Sequence, residues 1–345
     1  MDFQAEKKLV TSAYAAIGKA TASSIESVLR DYVSDDWSWR GMHPFHEQSG
    51  ATAVAETFWI PFLSAMTHVQ RRQDIFFAGR NQIDGFQSVW TVSMGHLMAL
   101  FDQPFLGIPP TNKIVMLRYA EFNRVENGQI QETAFFCDLL HLMHQAGLRP
   151  LPPQTGAHLV QPGPATHDGL QFGSVPETEG AATLALINRM IGDIAANSNT
   201  PELAAPRDAT PQEELARCWH DDMIWWGPDG IGATYTIDRY IEQHQRPFRQ
   251  NLANRTFNGH IAKLAEGNYG GFFGWPNLTL TPTGGYLGLP ANGLSTADMR
   301  VVDIYRRDGD KLRENWIFID ILHFLNMQGL DILGRETSMR PSRTL

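Results

Sequence analysis

The sequence is poor in cysteine: Cys137 and Cys218 are its only two, far apart and without CxxC spacing. That pattern excludes a disulfide framework and a thiolate metal site, and it fits a reducing compartment. Positive charge is also scarce. With 28 Lys and Arg against 37 Asp and Glu, the net charge of −9 argues against a nucleic-acid partner, which selects a basic surface. No apolar run is long enough to cross a bilayer, so no membrane role is expected. The opening "MDFQAEKKLV" has no basic segment followed by an apolar core, and a cytoplasmic location is the expectation. A Gly-rich phosphate loop and a dinucleotide fingerprint are both missing, so no cofactor is expected.

What remains is the composition of a globular chain, 43% hydrophobic and 19% charged, with enough length at 345 residues for two domains. An internal repeat supports that division. Shifted by 182 residues, Arg118–Leu148 lies on Arg300–Leu330 without a gap, with Arg124/Arg306, Glu132/Glu314, Phe136/Phe318, Asp138/Asp320 and His141/His323 among the identities. Upstream, "FLGIPP" from Phe105 matches "YLGLPA" from Tyr286, and "DDWSWRG" from Asp35 matches "DDMIWWG" from Asp221. The intervening "RPLPPQTGAHLVQPGPATHDG" reads as a linker, which places the boundary near residue 165 and predicts domains over 1–165 and 166–345.

Each copy opens with helical patterns: 5–17 and 23–32 in the first, 179–195 and 212–219 in the second. "TPQEE" at Thr210 predicts an N-cap, a proline in the first turn and helpful acids behind it. A further amphipathic helix is predicted at 51–66 and at 237–245. Strand-like runs follow, "QSVWTVSM" and "GNYGGFFGW" among them, and "RVENGQIQE" and "RRDGDKLRE" predict hairpins with Asn-Gly and Asp-Gly turns. Helices first and an antiparallel sheet after them is an α+β pattern.

Both copies close on an apolar stretch that holds one acid, "TAFFCDLLHLMHQAGL" with Asp138 and "NWIFIDILHFLNMQGL" with Asp320. The combination of "FLGIPPTNK", Arg118, "RVENGQIQE" and "FFCDLLHLMHQAGL" resembles the SnoaL-like polyketide cyclases, whose GIPPTGK-like turn precedes an RxxDGKIxExWxxxDxxxLxxQLG-like ending. The second copy, with "YLGLPANG" and "YRRDGDKLRENWIFIDILHFLNMQGL", carries Trp316 where the first has Ala134. The resemblance implies tandem cone-shaped α+β barrels, of the superfamily that includes nuclear transport factor two and ketosteroid isomerase, each a curved sheet wrapped around helices with an apolar pocket. It also implies that the matching Asp is a general acid/base in an aldol ring closure.

Asp138 and Asp320 therefore have two readings. In an apolar pocket a carboxyl pKa rises toward the range useful for proton abstraction. Alternatively each carboxylate caps the following helix or accepts backbone N–H groups. His96, in "MGHLMALF", falls on a family histidine and is a candidate proton carrier; Trp275 stands at the matching place in the second copy. Arg118 and Arg300 could hold a substrate carboxylate or pair across strands. Glu132 and Glu314 share a strand face with the Asp and are expected to be solvated or paired with arginine. Trp37, Trp39 and Trp59, and Trp225, Trp226, Phe272, Phe273 and Trp275, could line pockets for a multi-ring ligand, as could Phe136, Trp316 and Phe318 beside the acids. His43 and His46 in "HPFH", and His141 and His144 in "HLMH", have ligand-like spacing, but no third ligand is evident locally and no metal is expected. His244 and His260 are further candidates for the second pocket.

The resulting expectation is a cofactor-independent enzyme acting on a hydrophobic carbonyl compound by cyclisation or isomerisation. The alternatives are a small-molecule binding protein, or one catalytic half and one structural half. The halves are expected to pack as an intrachain pseudo-dimer, with a homodimer also open.

Overall fold

The computed structural model describes residues 2–158, 161–196, 210–291 and 295–338. Two mixed sheets are present. The first holds β1 (Val33–Gly41), β2 (His46–Ser49), β3 (Met66–Arg80), β4 (Val89–Phe101), β5 (Ile114–Glu126) and β6 (Gln129–Cys137), in the order β2-β1-β6-β5-β4-β3. The second holds β7 (Trp219–Trp226), β8 (Ala233–Tyr235), β9 (Leu252–Phe257), β10 (Ala262–Glu266), β11 (Tyr269–Pro282), β12 (Ala297–Asp308) and β13 (Lys311–Ile319), in the order β10-β11-β12-β13-β7-β8 with β9 beside β11. Read from the same end, the two orders are one topology. β1 lies parallel to β6, and β7 parallel to β13; the other neighbouring pairs are antiparallel.

Local chemistry accounts for the elements. Asn127 and Gly128 both take positive φ between β5 and β6, as a tight two-residue hairpin requires. The β12–β13 turn is centred one residue later than an Asp-Gly turn would be: Asp308 pairs with Lys311, and Gly309 takes the left-handed φ. Thr210 caps helix Pro211–Ala216 in a reciprocal capping box with Glu213. The helix entering each sheet contains a π-turn, Ala55–Trp59 in one and Ile241–Gln245 in the other. Each is followed by a proline, Pro61 or Pro247. Proline cannot donate the i→i−4 bond, and the wider turn accommodates the break.

Alternation along the strands separates two faces. Inner faces close over the helices: Tyr119 and Phe135 meet Tyr14, Trp37, Trp39, Phe58 and Phe62 in one half, and Phe272 and Tyr305 meet Trp219, Trp225 and Ile241 in the other. Outer faces pack against each other. Phe122 meets Phe273 at a ring separation of 5.1 Å, and Trp90, Val92, Phe136, Val302, Ile304, Trp316 and Phe318 complete this seam. Fully burying one such side chain contributes about 1.5–3 kcal/mol, so the seam is a second hydrophobic core.

The Pro- and Gly-rich segment between the halves is a strap. Ala157 bridges Ala233 and Leu170 bridges Phe76, so the strap touches both sheets. The Lys7 ammonium, 3% exposed, reaches Glu266 of the second half at 2.6 Å and the strap carbonyl of Gln171 at 2.6 Å. Among the described residues no helix is long and apolar enough to cross a membrane.

Candidate active site

Asp138 and Asp320 occupy equivalent positions at the seam. Each follows the last strand of its half and caps the next helix: Asp138 Oδ1 accepts from His141 N at 3.0 Å and Asp320 Oδ1 from His323 N at 3.2 Å. The second oxygen reaches into the opposite half. Asp138 Oδ2 accepts from Asp229 N at 2.9 Å, and Asp320 Oδ2 from His43 N at 3.0 Å. His43 and Asp229 each lie eight residues after the first Asp of the repeated "DD" block, so the two clamps mirror one another. Burial pushes the Asp320 carboxyl up to about 6, against its bonds from His43 N, Arg300 and His323 N. The two acids do not face separate apolar pockets. A cavity of about 10 Å³ lies between the halves beside Asp138, Asp229, His43 and Phe318, too small for an organic ligand.

Parity explains this placement. Phe136 and Asp138, like Trp316, Phe318 and Asp320, share a face, and that face is the seam. Arg118 lies there too. Its Nη1 and Nη2 donate to the carbonyls of Ile317 and Trp226 at 2.9 and 3.1 Å, over the Phe318 ring, and burial lowers its pKa to about 9. Arg300 stacks on Trp275 at 3.9 Å and lies 3.6 Å from both Asp320 and Glu47. His96 faces the seam from β4, with Nδ1 3.3 Å from Asp74. Trp226 is buried in the seam, and the Trp316 indole donates to Pro162 O at 2.9 Å. Glu132 pairs with Arg40 and Arg124, and Glu314 with Arg306.

Only part of the expected set lies inside the cones. Trp37, Trp39 and Trp59 line a cavity of about 30 Å³ in the first, room for about two waters. His260 lies in the second, stacked on Phe272 at 4.1 Å, its pKa lowered to about 4 by burial and nearby Lys263. His244 stacks on Trp225 at 4.0 Å and is lowered to about 3 by burial. Both rings are therefore neutral at pH 7.

The polar groups inside the cones come mostly from residues that motif reasoning passed over. The first interior holds a connected network. Arg71 Nη1 donates to Glu121 at 2.8 Å, with the guanidinium 3.8 Å from the Tyr14 ring centre and 4.5 Å from that of Tyr119. Asn123 donates to Glu121 at 3.1 Å and to the Tyr14 hydroxyl at 3.0 Å, and accepts from Thr133 at 2.6 Å. The Trp37 indole donates to Thr133 at 3.0 Å.

The equivalent position in the second cone is Asp303, 182 residues on. Its strand neighbours are Phe272 and Ile317. Asn315 Nδ2 donates to Asp303 Oδ1 at 3.1 Å, and Tyr305 hydrogen-bonds the same carboxyl. Among the described residues no cation pairs with it. Burial pushes its pKa up to about 7, with Asn315 and Tyr305 opposing the rise. Burial and the Asp303 charge raise Tyr305 well above the ordinary phenol value, and Tyr240 is raised for the same two reasons. Two phenol donors thus stay protonated near a carboxyl poised to gain or lose a proton at neutral pH. The signal available in the sequence was parity: "RYAEFNR" and "RVVDIYR" each place one acid among apolar residues, one register away from Arg118 and Arg300.

The largest cavity described, about 410 Å³, lies outside both cones among Phe3, Phe86, Val175, Leu184 and Gly267.

No protein-family model matches the chain, and no curated protein does. Solved structures match one half-length at a time. A protein from Jannaschia sp. CCS1 described as a SnoaL-like polyketide cyclase is 19% identical over 44% of this chain and 95% of its own, with a TM-score of 0.32. IdmH from Streptomyces antibioticus, described as a polyketide cyclase, is 15% identical over 40% and 98%, with a TM-score of 0.32. An NTF2-like protein from Burkholderia thailandensis E264 is 17% identical over 41% and 97%, with a TM-score of 0.30. At these values the likeness transfers no activity or substrate. In architecture the chain is two α+β cones of one topology, packed through the outer faces of their sheets.

Proposed function

We propose that the protein is a cofactor-independent enzyme that moves a proton next to the carbonyl of a small hydrophobic molecule, with Asp303 of the second cone as general acid/base. The observation that carries this reading is the environment of Asp303: an interior carboxyl between Phe272 and Ile317, bonded to Asn315 and Tyr305 and lacking a cationic partner among the described residues. A base works best with its pKa near the working pH, and burial brings Asp303 to about 7. Tyr305, held protonated, is the donor suited to an enolate oxygen.

A second observation favours a structural role for the other half. Glu121, the counterpart of Asp303, is committed to Arg71 at 2.8 Å. On this reading Asp138 and Asp320 are clamps between halves, and His96, Arg118 and Arg300 serve the seam.

The test is proton exchange, which needs no knowledge of the natural product. A panel of apolar β-diketones and cyclic enones is incubated with the protein in D₂O, and loss of the α-proton is followed by NMR. The wild-type chain is expected to accelerate exchange of at least one compound. Asp303→Asn should remove about 10²–10⁴ of that rate while leaving the circular dichroism spectrum intact. Exchange that survives in Asp303→Asn and disappears in a folded Asp138→Asn would return the chemistry to the seam.

A further inference from the structure

His144, His158 and Asp229 come from three separate segments: the helix after β6, the strap, and the loop after β7. Their donor atoms meet. His144 Nδ1 is 2.5 Å from Asp229 Oδ2, His158 Nδ1 is 4.0 Å from the same oxygen, and one ligand atom from each of the three residues lies within 4.8 Å of the others. We propose that these three side chains form a site for a zinc-class divalent cation, with the remaining coordination position open to solvent.

The chemistry of the donor set fits. Two imidazole nitrogens and one carboxylate oxygen are ligands that zinc accepts in a three-residue open site, with bonds of about 2.0–2.2 Å. Tetrahedral bonds of that length separate neighbouring donors by about 3.4 Å. The His144–Asp229 contact must therefore open and the His158 ring swing inward. His158 is free to do so: its side chain is 51% exposed, whereas Asp229 is 5% and His144 13% exposed. One ligand is thus fixed in the protein, one half-fixed, and one arrives from the surface, which also leaves the ion an entry path.

Outer contacts hold the carboxylate and the helix in place. Asp229 N donates to Asp138 Oδ2 at 2.9 Å, so the seam clamp fixes the loop that carries the ligand. Arg149 is the opposing charge nearby, and its guanidinium is engaged by the His144 and Leu148 carbonyls at 3.0 and 2.8 Å. Across the seam, His43, His46 and His323 have no carboxylate in the corresponding place, because His43 stands there in the position that Asp229 holds in the other half. Filling the site would pin the strap to both halves.

The experiment uses the full chain without an affinity tag, stripped with a chelator. Zinc is titrated calorimetrically, and Co²⁺ reports ligand geometry through its visible d–d absorption. The expected result is one equivalent bound per chain, a tetrahedral-type Co²⁺ spectrum and a higher melting temperature with zinc. All three should be lost in His158→Ala, a surface change that leaves the fold intact, and in Asp229→Asn, which keeps the backbone bond to Asp138. His46→Ala should bind as the wild type does. A flat zinc titration, or equal affinity in the wild type, His158→Ala and Asp229→Asn, overturns the proposal.

Discussion

Glu121 and Asp303 occupy one position in two cones, yet removing their charges should change stability in opposite directions at pH 8. Arg71 and Glu121 are 8% and 9% exposed and 2.8 Å apart. Glu121→Gln leaves the guanidinium buried without its partner, which costs about 3–5 kcal/mol. Asp303 has no such partner, and burial raises its pKa from 3.8 to about 7. A raised carboxyl pKa means that its neutral form is the one the fold favours. The contribution is fully present below about pH 4 and is lost as pH rises through 7. The native protein thus gives up about 2 kcal/mol by pH 5 and about 4 kcal/mol by pH 8 at this one group. Asp303→Asn does not titrate and gives up nothing there. Urea unfolding followed by tryptophan fluorescence at pH 5 and pH 8 measures both effects. Asp229 and Asp320 also titrate, but they are common to wild type and Asp303→Asn and cancel in the difference. The stability of Asp303→Asn relative to wild type should rise by about 2–3 kcal/mol between the two pH values. A difference that stays constant with pH would mean that Asp303 is not held neutral by burial, and a Glu121→Gln variant as stable as wild type at pH 8 would mean that Arg71 does not depend on Glu121.

Two further outcomes follow from the seam and the inner faces. Asp138→Ala and Asp320→Ala each remove an acceptor for one helix-capping N–H and one N–H from the opposite half, and each should lower the unfolding free energy by about 2–4 kcal/mol in urea titrations. Gly227→Ala would put a Cβ 2.0 Å from Trp225 Cζ3, and Gly41→Ala one 2.2 Å from Trp39 Cζ3, so both should lower the melting temperature through overpacking worth about 1–3 kcal/mol.

The architecture was legible in the sequence because it rests on local signals. Thr210-Pro211 at a helix start, Asn127-Gly128 at a hairpin and the ordered blocks of the repeat each act over a few residues. The site was less legible. Alternation correctly groups Glu132, Phe136 and Asp138 on one strand face, but period two does not say which face looks inward. The outer face of an ordinary half-exposed sheet would be polar. Here it is apolar because the other half covers it, so the seam residues carry the hydrophobic signature of a pocket wall. Asp138 and Asp320 stand out in the sequence for the same reason: they sit among residues that bury a domain interface. Asp303 is less conspicuous, flanked by Arg300, Arg306 and Arg307, and only the pairing of β12 with β11 and β13 reveals that it points into the cone.

The protonation of Asp303 can be read directly. With ¹³C-labelled aspartate, the carboxyl resonances are followed from pH 4 to pH 9, and the signal missing from Asp303→Asn identifies this residue. A midpoint near 7 is expected for that resonance, set by burial between Phe272 and Ile317. A midpoint near the ordinary aspartate value of about 4 would contradict it, because a carboxyl that is ionised throughout the neutral range has no poised proton to exchange.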